Sequence, residues 1–463
     1  MEIEPSEQYL DLQDELMATG KLFKDPDFPA IGRSIGGPIG RDPEIRWLRP
    51  PEITINPQFI IKGMTRQDIY QGRIRDCFLL AGTACLATTS PELLYRVVPP
   101  DQNFNVDYTE TETKGAKNEF WVSLLEKAYA KLNGSYMNID TGFVNEALVD
   151  LTGGLSEIVR VEEYSSKPKV LFKMMSKITE KASFMGCAVN INSGSIDEEV
   201  GNGLYSGHAY SVTKLTTINY KDKTVRLIRL RNPWGRREWS GDWGDKSHKW
   251  RKVSENVRLM LEYDNKNDGE FWMDFEDWIE NFKGLYICHL TPESYFGLLA
   301  QNIITSHWTS QIFHGKWILN QSAGGCGNPP HRKLFWTNPQ YLVSVQPLGS
   351  KDNNISLVIS LTQKDRTDET NDYINFLTFQ VKPGVSLNRQ KNFTQSELAL
   401  IKRRKDFVNV RDLTAQLRLH PGHYVIVPCT FRPNRPGRFM LRVFSEVSVP
   451  PQTVPKVSYS LAV

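Results

Sequence analysis

The chain has 463 residues, of which 40% are hydrophobic, 24% charged and 11% aromatic, too much apolar material for one core and enough for about two or three domains. Lys and Arg total 56 against 53 Asp and Glu, a net charge of +3, which excludes the strongly basic footprint of a nucleic-acid or anionic-membrane binder. No stretch approaches the ~18 uninterrupted apolar residues of a membrane span, and the acidic start MEIEP lacks the basic-then-apolar order of a signal peptide. A soluble, non-secreted protein is expected. Its six cysteines (Cys77, Cys85, Cys187, Cys288, Cys326 and Cys429) form no CxxC pair, as expected for reduced thiols in the cytosol rather than a disulfide framework or zinc site.

Residues 1–55 are dense in proline, glycine and charge (FKDPDFPAIGRSIGGPIGRDPEIRWLRPPE), which predicts an extended, surface-hugging leader rather than a helix bundle. From Cys77 the runs FLLAGTACLA and SPELLYRVV place apolar residues at helical steps, with Ser90 and Pro91 as cap and first-turn residue. A second helix is predicted over EFWVSLLEKAYAKL, residues 119–132, ending before Asn133-Gly134 as a C-cap requires. Gly153-Gly154 in DLTGGLSEIV ends this helical region, so a domain boundary with hinge freedom is placed near residue 154. ASFMGCAVNI, HAYSVTKLTTI and KTVRLIRLRN then read as strands of a mainly β domain reaching to about residue 295. From about residue 300, QYLVSVQPL, NISLVISLT, INFLTFQV, GHYVIVPCTF and GRFMLRVFSE alternate with Pro, Gly, Asn and Asp, which predicts an antiparallel sandwich. The run Lys402-Arg403-Arg404-Lys405 reads as a solvated loop rather than a targeting signal.

Chemistry concentrates at three places. Cys77 falls where a polar loop meets an apolar helix, with Asp76 as the expected cap; unpaired N–H groups at a helix start favour a thiolate and hence a nucleophile. His208 and Asn232 flank two strand-like runs joined by Asn219-Tyr220-Lys221-Asp222-Lys223. Antiparallel pairing about a turn centred between Lys221 and Asp222 sets His208 opposite position 235, within about three positions of Asn232, so both side chains reach one sheet end. A thiolate needs an imidazole that carries a proton to the leaving amine, and the imidazole needs an acceptor that fixes its tautomer. The acidic run Asp264–Glu270 is no EF-hand loop, because loop position three is Lys266 and position twelve is Phe275. Trp239, Trp243, Trp250 and Trp272 read as packing.

The blocks QGRIRDCFLL, GLYSGHAYSVT and RLRNPWG resemble the three catalytic blocks of the calpains, papain-like cysteine proteases that respond to calcium. The resemblance runs on through LFKDPDFPA, WLRPPEI, FIIKG, EFWVSLLEKAYAKLNGSY, the LTGG junction, DGEFWM and AGGCGNPPHRKLFWTNPQ. It implies an α+β fold in which a papain-like two-lobed protease core, a helical lobe plus a β lobe, is followed by a C2-like antiparallel β-sandwich. The implied domains are a leader over 1–55, a helical Cys lobe over 56–154, a β His/Asn lobe over 155–295 and the sandwich over 300–463. It further implies Cys77 as nucleophile, His208 as general acid and base, Asn232 as the orienter of His208, and Gln71 beside the Cys77 backbone N–H in the oxyanion hole. Gly142 and Gly207 match positions that hold the substrate backbone, and Trp234 is placed at the substrate side, shielding the His and Asn pair from water.

The implied cofactor is Ca2+. The Ile61 and Gly63 carbonyls with Asp68 and Glu119 match one calpain core site, and Glu238, Asp245, Asp268 and Glu270 with the Lys266 carbonyl match the second. The activity so implied is limited proteolysis of protein substrates by a calcium-dependent cytoplasmic cysteine endopeptidase, with weak membrane or protein contact through the C2-like domain. Three departures stand against it. Arg75 and Phe78 replace the usual Gly and Trp, and Arg75 would distort the oxyanion loop if a positive φ were required there. The segment between Val98 and Glu119 is shorter than in calpains, and the chain stops after the sandwich, so dimerisation with a small EF-hand subunit is not expected. The alternative raised by the first two is a catalytically impaired, calcium-binding scaffold; transglutaminase-like acyl transfer, which usually has Asp as its third member, is disfavoured by Asn232.

Overall fold

A computed structural model describes residues 7–99, 108–109, 118–180, 183–189, 197–290, 307–346, 355–364, 371–389, 391–402 and 406–447. The chain divides into two compact units, residues 1–290 and 291–463.

The first unit opens with a difference from expectation: helix α1 spans Glu7–Thr19 and buries no residue. The proline and glycine bias of the leader begins beyond it, and EQYLDLQDELMAT consists mostly of good helix formers. Helices α2 (Cys77–Thr89), α3 (Trp121–Asn133) and α4 (Val144–Thr152) follow. Every residue from Cys77 to Leu86 is buried, as a helix that is apolar all round requires. The left-handed Gly134 and Gly153 close α3 and α4. Most of the short 99–118 segment lies outside the described residues, although Tyr108–Thr109 pairs with Trp47–Leu48.

Strand β1 (Leu155–Arg160) and helix α5 (Pro168–Glu180) lead into β2 (Phe184–Val189), β3 (Ala209–Tyr220), β4 (Lys223–Arg231), β5 (Glu270–Asp274), helix α6 (Phe275–Asn281) and β6 (Phe282–His289). The six strands form one antiparallel sheet in the order β1-β6-β2-β3-β4-β5. One face packs Cys187, Tyr210, Val212, Phe271 and Met273 on Leu171 and Met175 of α5 and Trp278 of α6. The other face receives α2: Ser211 Oγ donates to the Ala81 carbonyl at 2.8 Å, and Cys85 Sγ to the Met185 carbonyl at 3.1 Å.

The β3–β4 hairpin forms with Lys221 and Asp222 both at positive φ (47° and 63°), the requirement of a tight twisted turn. Pairing runs from Tyr220↔Lys223 to Lys214↔Arg229 and then slips by one at Thr213, so that Val212 faces Leu230 and Ser211 faces Arg231. This bulge shifts the His208 end by one position relative to the regular register expected.

In the second unit, β7 (His307–Trp317), β8 (Tyr341–Val345), β9 (Ile355–Lys364), β10 (Tyr373–Val381), β11 (Leu398–Lys402), β12 (Asp412–Leu419), β13 (Gly422–Thr430) and β14 (Gly437–Val447) form two antiparallel sheets. Their orders are β7-β14-β9-β12 and β8-β13-β10-β11. Ile355, Leu357, Ile359 and Leu441 of the first meet Val343, Ile374, Phe376 and Ile426 of the second in one core, the inner layer of a sandwich. The basic run after Ile401 falls mostly outside the described residues.

The bond from Ser211 to Ala81 joins the helix that begins at Cys77 to the strand that begins just after His208. Ser211→Ala is expected to lower the stability of the first unit by about 1 kcal/mol, read as a lower denaturant midpoint at unchanged slope; an unchanged midpoint would show the bond to be dispensable.

Candidate active site

Helix α2 starts at Cys77, and the first N–H groups of a helix have no intrahelical partner. Asp76 occupies the cap position, but its side chain makes no capping bond. Both its carboxyl oxygens are buried without a hydrogen-bond partner. The expectation of an Asp cap is therefore corrected: Asp76 turns inward toward Glu126, itself buried on α3.

His208 is fully buried. Its Nε2 lies 2.8 Å from Asn232 Oδ1. Asn232 is oriented without ambiguity: its Nδ2 donates to the Arg237 carbonyl at 3.0 Å, and its Oδ1 also accepts the Trp234 N–H at 2.9 Å. An oxygen thus faces Nε2, which must carry a proton. The Asn232 N–H donates to the Gly269 carbonyl at 2.8 Å, fixing the backbone as well. Trp234 lies over the imidazole, ring centres 4.3 Å apart, and Tyr205 packs on its edge at 4.6 Å. The indole covers one face of His208, where water would otherwise compete for the Asn232 bond.

The other nitrogen, Nδ1, lies toward Cys77 and toward Asp197, whose Oδ1 is 3.4 Å away. Burial alone would push this imidazole down; contacts with Asp197, Cys77 and Asn232 overcome it and hold the group at about 9. The structure therefore brings Cys77, His208 and Asn232 together and adds a carboxylate to them.

Gln71 is anchored beside this cluster, its N–H donating to the Pro233 carbonyl at 3.0 Å. One amide hydrogen goes to the Ile74 carbonyl at 2.7 Å, which leaves the second available. Gly142 is a close-approach position, but the nearest group is protein: a Cβ there would lie 2.7 Å from the Phe78 ring. Gly207 has φ +64°, a conformation that favours glycine, immediately before His208.

Arg75 is absent from the residues at positive φ, so the loop accepts a side chain without backbone strain. Its N–H donates to Asp140 Oδ1 at 3.1 Å, Nε donates to Oδ2 at 3.0 Å, and Nη2 donates to the same oxygen. Asp140 raises the Arg75 guanidinium above its usual range, and Asp197 and Cys77 add to the effect. The substitution feared as a distortion is a strap from the nucleophile loop to the loop carrying Gly142.

The acidic residues fall in two places. Glu119 Oε1 accepts the Ile61 N–H, and Asp68 Oδ2 accepts the Thr65 N–H at 2.7 Å. Burial lifts Glu119 to about 7 against the pull of the Ile61 N–H bond, with a smaller push from Asp68. In the second place Glu238 Oε1 accepts the Gly269 N–H and Asp268 Oδ1 the Glu270 N–H, each at 2.9 Å. Lys266 turns its ammonium to Asp264. Burial, then Glu238, Asp268, Asp264 and Glu270, push Asp245 up to about 8. Asp245 Oδ2 and Glu270 Oε1 are buried and accept no hydrogen bond. The orphaned Asp245 oxygen among like charges fits a hard cation. Among the described residues, however, no three His, Cys, Asp or Glu side chains are gathered tightly enough to hold one. Glu270 is engaged instead by Arg66 at 3.0 Å and Arg229 at 3.5 Å.

Sequence reasoning missed Asp197, Asp140 and Glu126. For Asp197 a signal existed: Asn202-Gly203 has the composition of a tight hairpin turn. Both residues take positive φ, and the ribbon Glu199–Gly201 with Leu204–Tyr205 folds Asp197 back onto Ser206.

A buried thiol at a helix start beside an amide-held imidazole is the arrangement of a cysteine hydrolase. The calpain family cysteine protease pattern matches residues 23–111 and 111–289, and that of the calpain large subunit, domain III, matches residues 313–444. Calpain-B of Drosophila melanogaster is 37% identical over 488 residues, 94% of this chain and 51% of that protein. The calpain-1 catalytic subunit of Sus scrofa is 37% identical over 490 residues, 95% of this chain and 67% of that protein. Calpain-A of Drosophila melanogaster is 36% identical, covering 95% of this chain and 57% of that protein. The chain belongs to the calpain family of cysteine proteases. It spans between about half and two thirds of the length of these curated relatives.

The Asp76–Glu126 pair yields a pH prediction. Burial lifts Asp76 well above the usual carboxylate range, with Glu126 adding to it, and burial lifts Glu126 from 4.5 to about 7. The folded state then binds more protons than the unfolded state between about pH 4.5 and 7, so stability falls as pH rises through that window. Glu126→Gln is expected to melt about 3 °C or more above wild type at pH 8, the difference vanishing near pH 4. Parallel thermal melts at the two pH values check this, and equal melting temperatures at pH 8 would refute the assigned protonation.

Proposed function

We propose that this chain is a calcium-dependent cysteine endopeptidase that cleaves protein substrates at limited sites. The observation that carries the proposal is the buried His208, bonded through Nε2 to Asn232 Oδ1 at 2.8 Å and lying with Nδ1 toward Cys77. Family membership and the strain-free Arg75 loop support it, the latter against the scaffold alternative.

In the proposed reaction the Cys77 sulfur, its proton held on His208 Nδ1, attacks the scissile carbonyl carbon and forms a C–S bond. The developing oxyanion takes hydrogen bonds from the Cys77 backbone N–H and the second Gln71 amide hydrogen. Collapse breaks the C–N bond as Nδ1–H passes its proton to the leaving nitrogen. Water then gives a proton to Nδ1 and attacks the thioester, releasing the acid and the thiol. Asn232 accepts from Nε2 throughout, so the ring does not turn between steps. Gly142, Gly207 and Trp234 border the substrate backbone in this scheme.

Calcium, when bound, would supply the positive charge that crowded carboxylates lack. Glu238, Asp245, Asp268, Glu270 and the Lys266 carbonyl would hold one ion; Asp68, Glu119 and the Ile61 and Gly63 carbonyls would hold the other. Arg66 links the two places, since it sits in the Arg66–Asp68 turn and bonds Glu270 Oε2 at 3.0 Å. A cytoplasmic location is proposed from the described cysteines, all free thiols, and none of the described helices is long and apolar enough to cross a membrane. The sandwich is proposed to make weak membrane or protein contacts.

Casein cleavage across a calcium titration tests the reading: Cys77→Ala is expected to lower turnover by about a thousandfold or more. Absence of cleavage by both proteins at millimolar calcium would overturn it in favour of the scaffold. Separately, Asp245→Asn removes one ligand charge and is expected to raise the calcium concentration at half-maximal activity by about tenfold; an unchanged midpoint would remove Asp245 from the ion site.

A further inference from the structure

We propose that Asp197 is a positioning residue of this active site, a second anionic acceptor that holds the His208 imidazolium while its Nδ1 proton waits between the sulfur and the leaving amine. This rests on the proposed peptidase reading and deepens it.

Three observations carry the inference. First, His208 Nδ1 and Asp197 Oδ1 lie 3.4 Å apart, and each is a buried atom without a well-formed hydrogen bond. Two facing orphans of opposite polarity, one a ring nitrogen and one a carboxylate oxygen, satisfy each other only when the nitrogen carries a proton. Second, Asp197 is placed by backbone structure. Its N–H donates to the Ser206 carbonyl at 2.9 Å, Ser206 N–H donates to the Glu198 carbonyl at 2.8 Å, and the adjoining ribbon pairs Glu199 with Tyr205. The aspartate is thus pinned to the residues that immediately precede His208, and its φ of +65° is one that Asp tolerates. Third, its side chain is only 23% exposed, so water screens the contact weakly.

The groups facing His208 from each packed element are few. Cys77 approaches from α2, Asp197 from the ribbon, the neutral Asn232 and Trp234 from the segment after β4, and the Tyr210 ring from β3 at 5.1 Å. Burial pushes the Tyr210 phenol upward, so it adds no charge in the working range. Arg75 lies within electrostatic reach of both Asp197 and Cys77, and offsets the repulsion that a carboxylate beside a thiolate would otherwise create. Asp197 is thus the one side-chain carboxylate, among the described residues, in ion-pair contact with this ring. Removing its charge makes the imidazolium easier to deprotonate. The alkaline limb of the pH profile, where that proton is lost, should move to lower pH.

The test compares wild type, Asp197→Asn and Asp197→Glu, each with calcium. Two pH profiles are read: kcat/KM on a peptide substrate, and the rate of Cys77 alkylation by iodoacetate, whose carboxylate is drawn by the imidazolium and which needs no catalytic turnover. For Asp197→Asn the alkaline limb of both is expected to fall by about one pH unit, a loss of about fivefold at pH 9 with little change near pH 6.5. Asp197→Glu should restore most of the limb. An alkaline limb that coincides with wild type in Asp197→Asn would overturn the proposal. So would an equal loss at every pH that Asp197→Glu does not rescue, which marks a structural role. Should wild type cleave nothing, the peptidase reading fails, while the alkylation profile still decides the Asp197 contact.

Discussion

An imidazole with no access to water must have both nitrogens provided for by protein, and the first unit is organised around that requirement at His208. The sheet delivers Asn232 by ending β4 beside the start of β3, and Asn232 is in turn immobilised by the Arg237 carbonyl, the Trp234 N–H and the Gly269 carbonyl. The Ser211 hydroxyl locks α2 onto β3 and the Cys85 thiol locks it onto the neighbouring β2, which carries the Cys77 end of the helix to the remaining nitrogen. Displacing Asn232 would leave Nε2 buried without its partner, at a cost of about 1–3 kcal/mol. Assembly of the site and stability of the unit are therefore the same problem.

Charge around the sulfur is arranged by burial as much as by sequence. The start of α2 presents partial positive charge, and Arg75 adds a full one while bound to Asp140. The nearest acid in sequence, Asp76, would oppose both were it ionised. Full burial beside Glu126 drives its carboxyl toward the neutral form, so the adjacent negative charge is withdrawn. Asp197, partly exposed and held by a ribbon, stands on the opposite terms. One carboxyl is silenced by its surroundings, while the other is held 3.4 Å from the imidazole nitrogen, a division of roles that environment alone can make between chemically identical groups.

Much of this was legible in the sequence where local rules act alone. The start of α2 at Cys77, the stop of α3 before Gly134, the Lys221-Asp222 turn and the strands of the sandwich each follow from periodicity, capping or turn chemistry within a short window. The inward turn of Asp76 was not legible, because its partner Glu126 lies on another helix and burial is a tertiary property. The bulge at Thr213 escaped for a related reason: nothing in AYSVTKL marks where a long strand must bend to bring its end under a helix. Arg75 could not be judged without φ. Once φ is known to be negative, the loop reads as tolerant, and Asp140 supplies a partner 65 residues away that no local pattern predicts.

The proposed calcium response follows the same electrostatic reasoning. Asp245 pushed up to about 8 means that the Glu238–Glu270 region carries more carboxylate than it can keep ionised on its own. Arg66 and Arg229 draw Glu270 away, and the backbone N–H groups of Gly269 and Glu270 occupy Glu238 and Asp268. Gathering these oxygens around one ion must therefore compete with bonds that also shape the loop following Asn232, because Gly269 is at once the donor to Glu238 and the carbonyl that accepts the Asn232 N–H. A change in how Glu238 holds Gly269 is felt at Asn232 through one residue. On this proposed route, ligand geometry at the acidic loop would reach the Asn232 that holds the imidazole through the hydrogen bonds of Gly269.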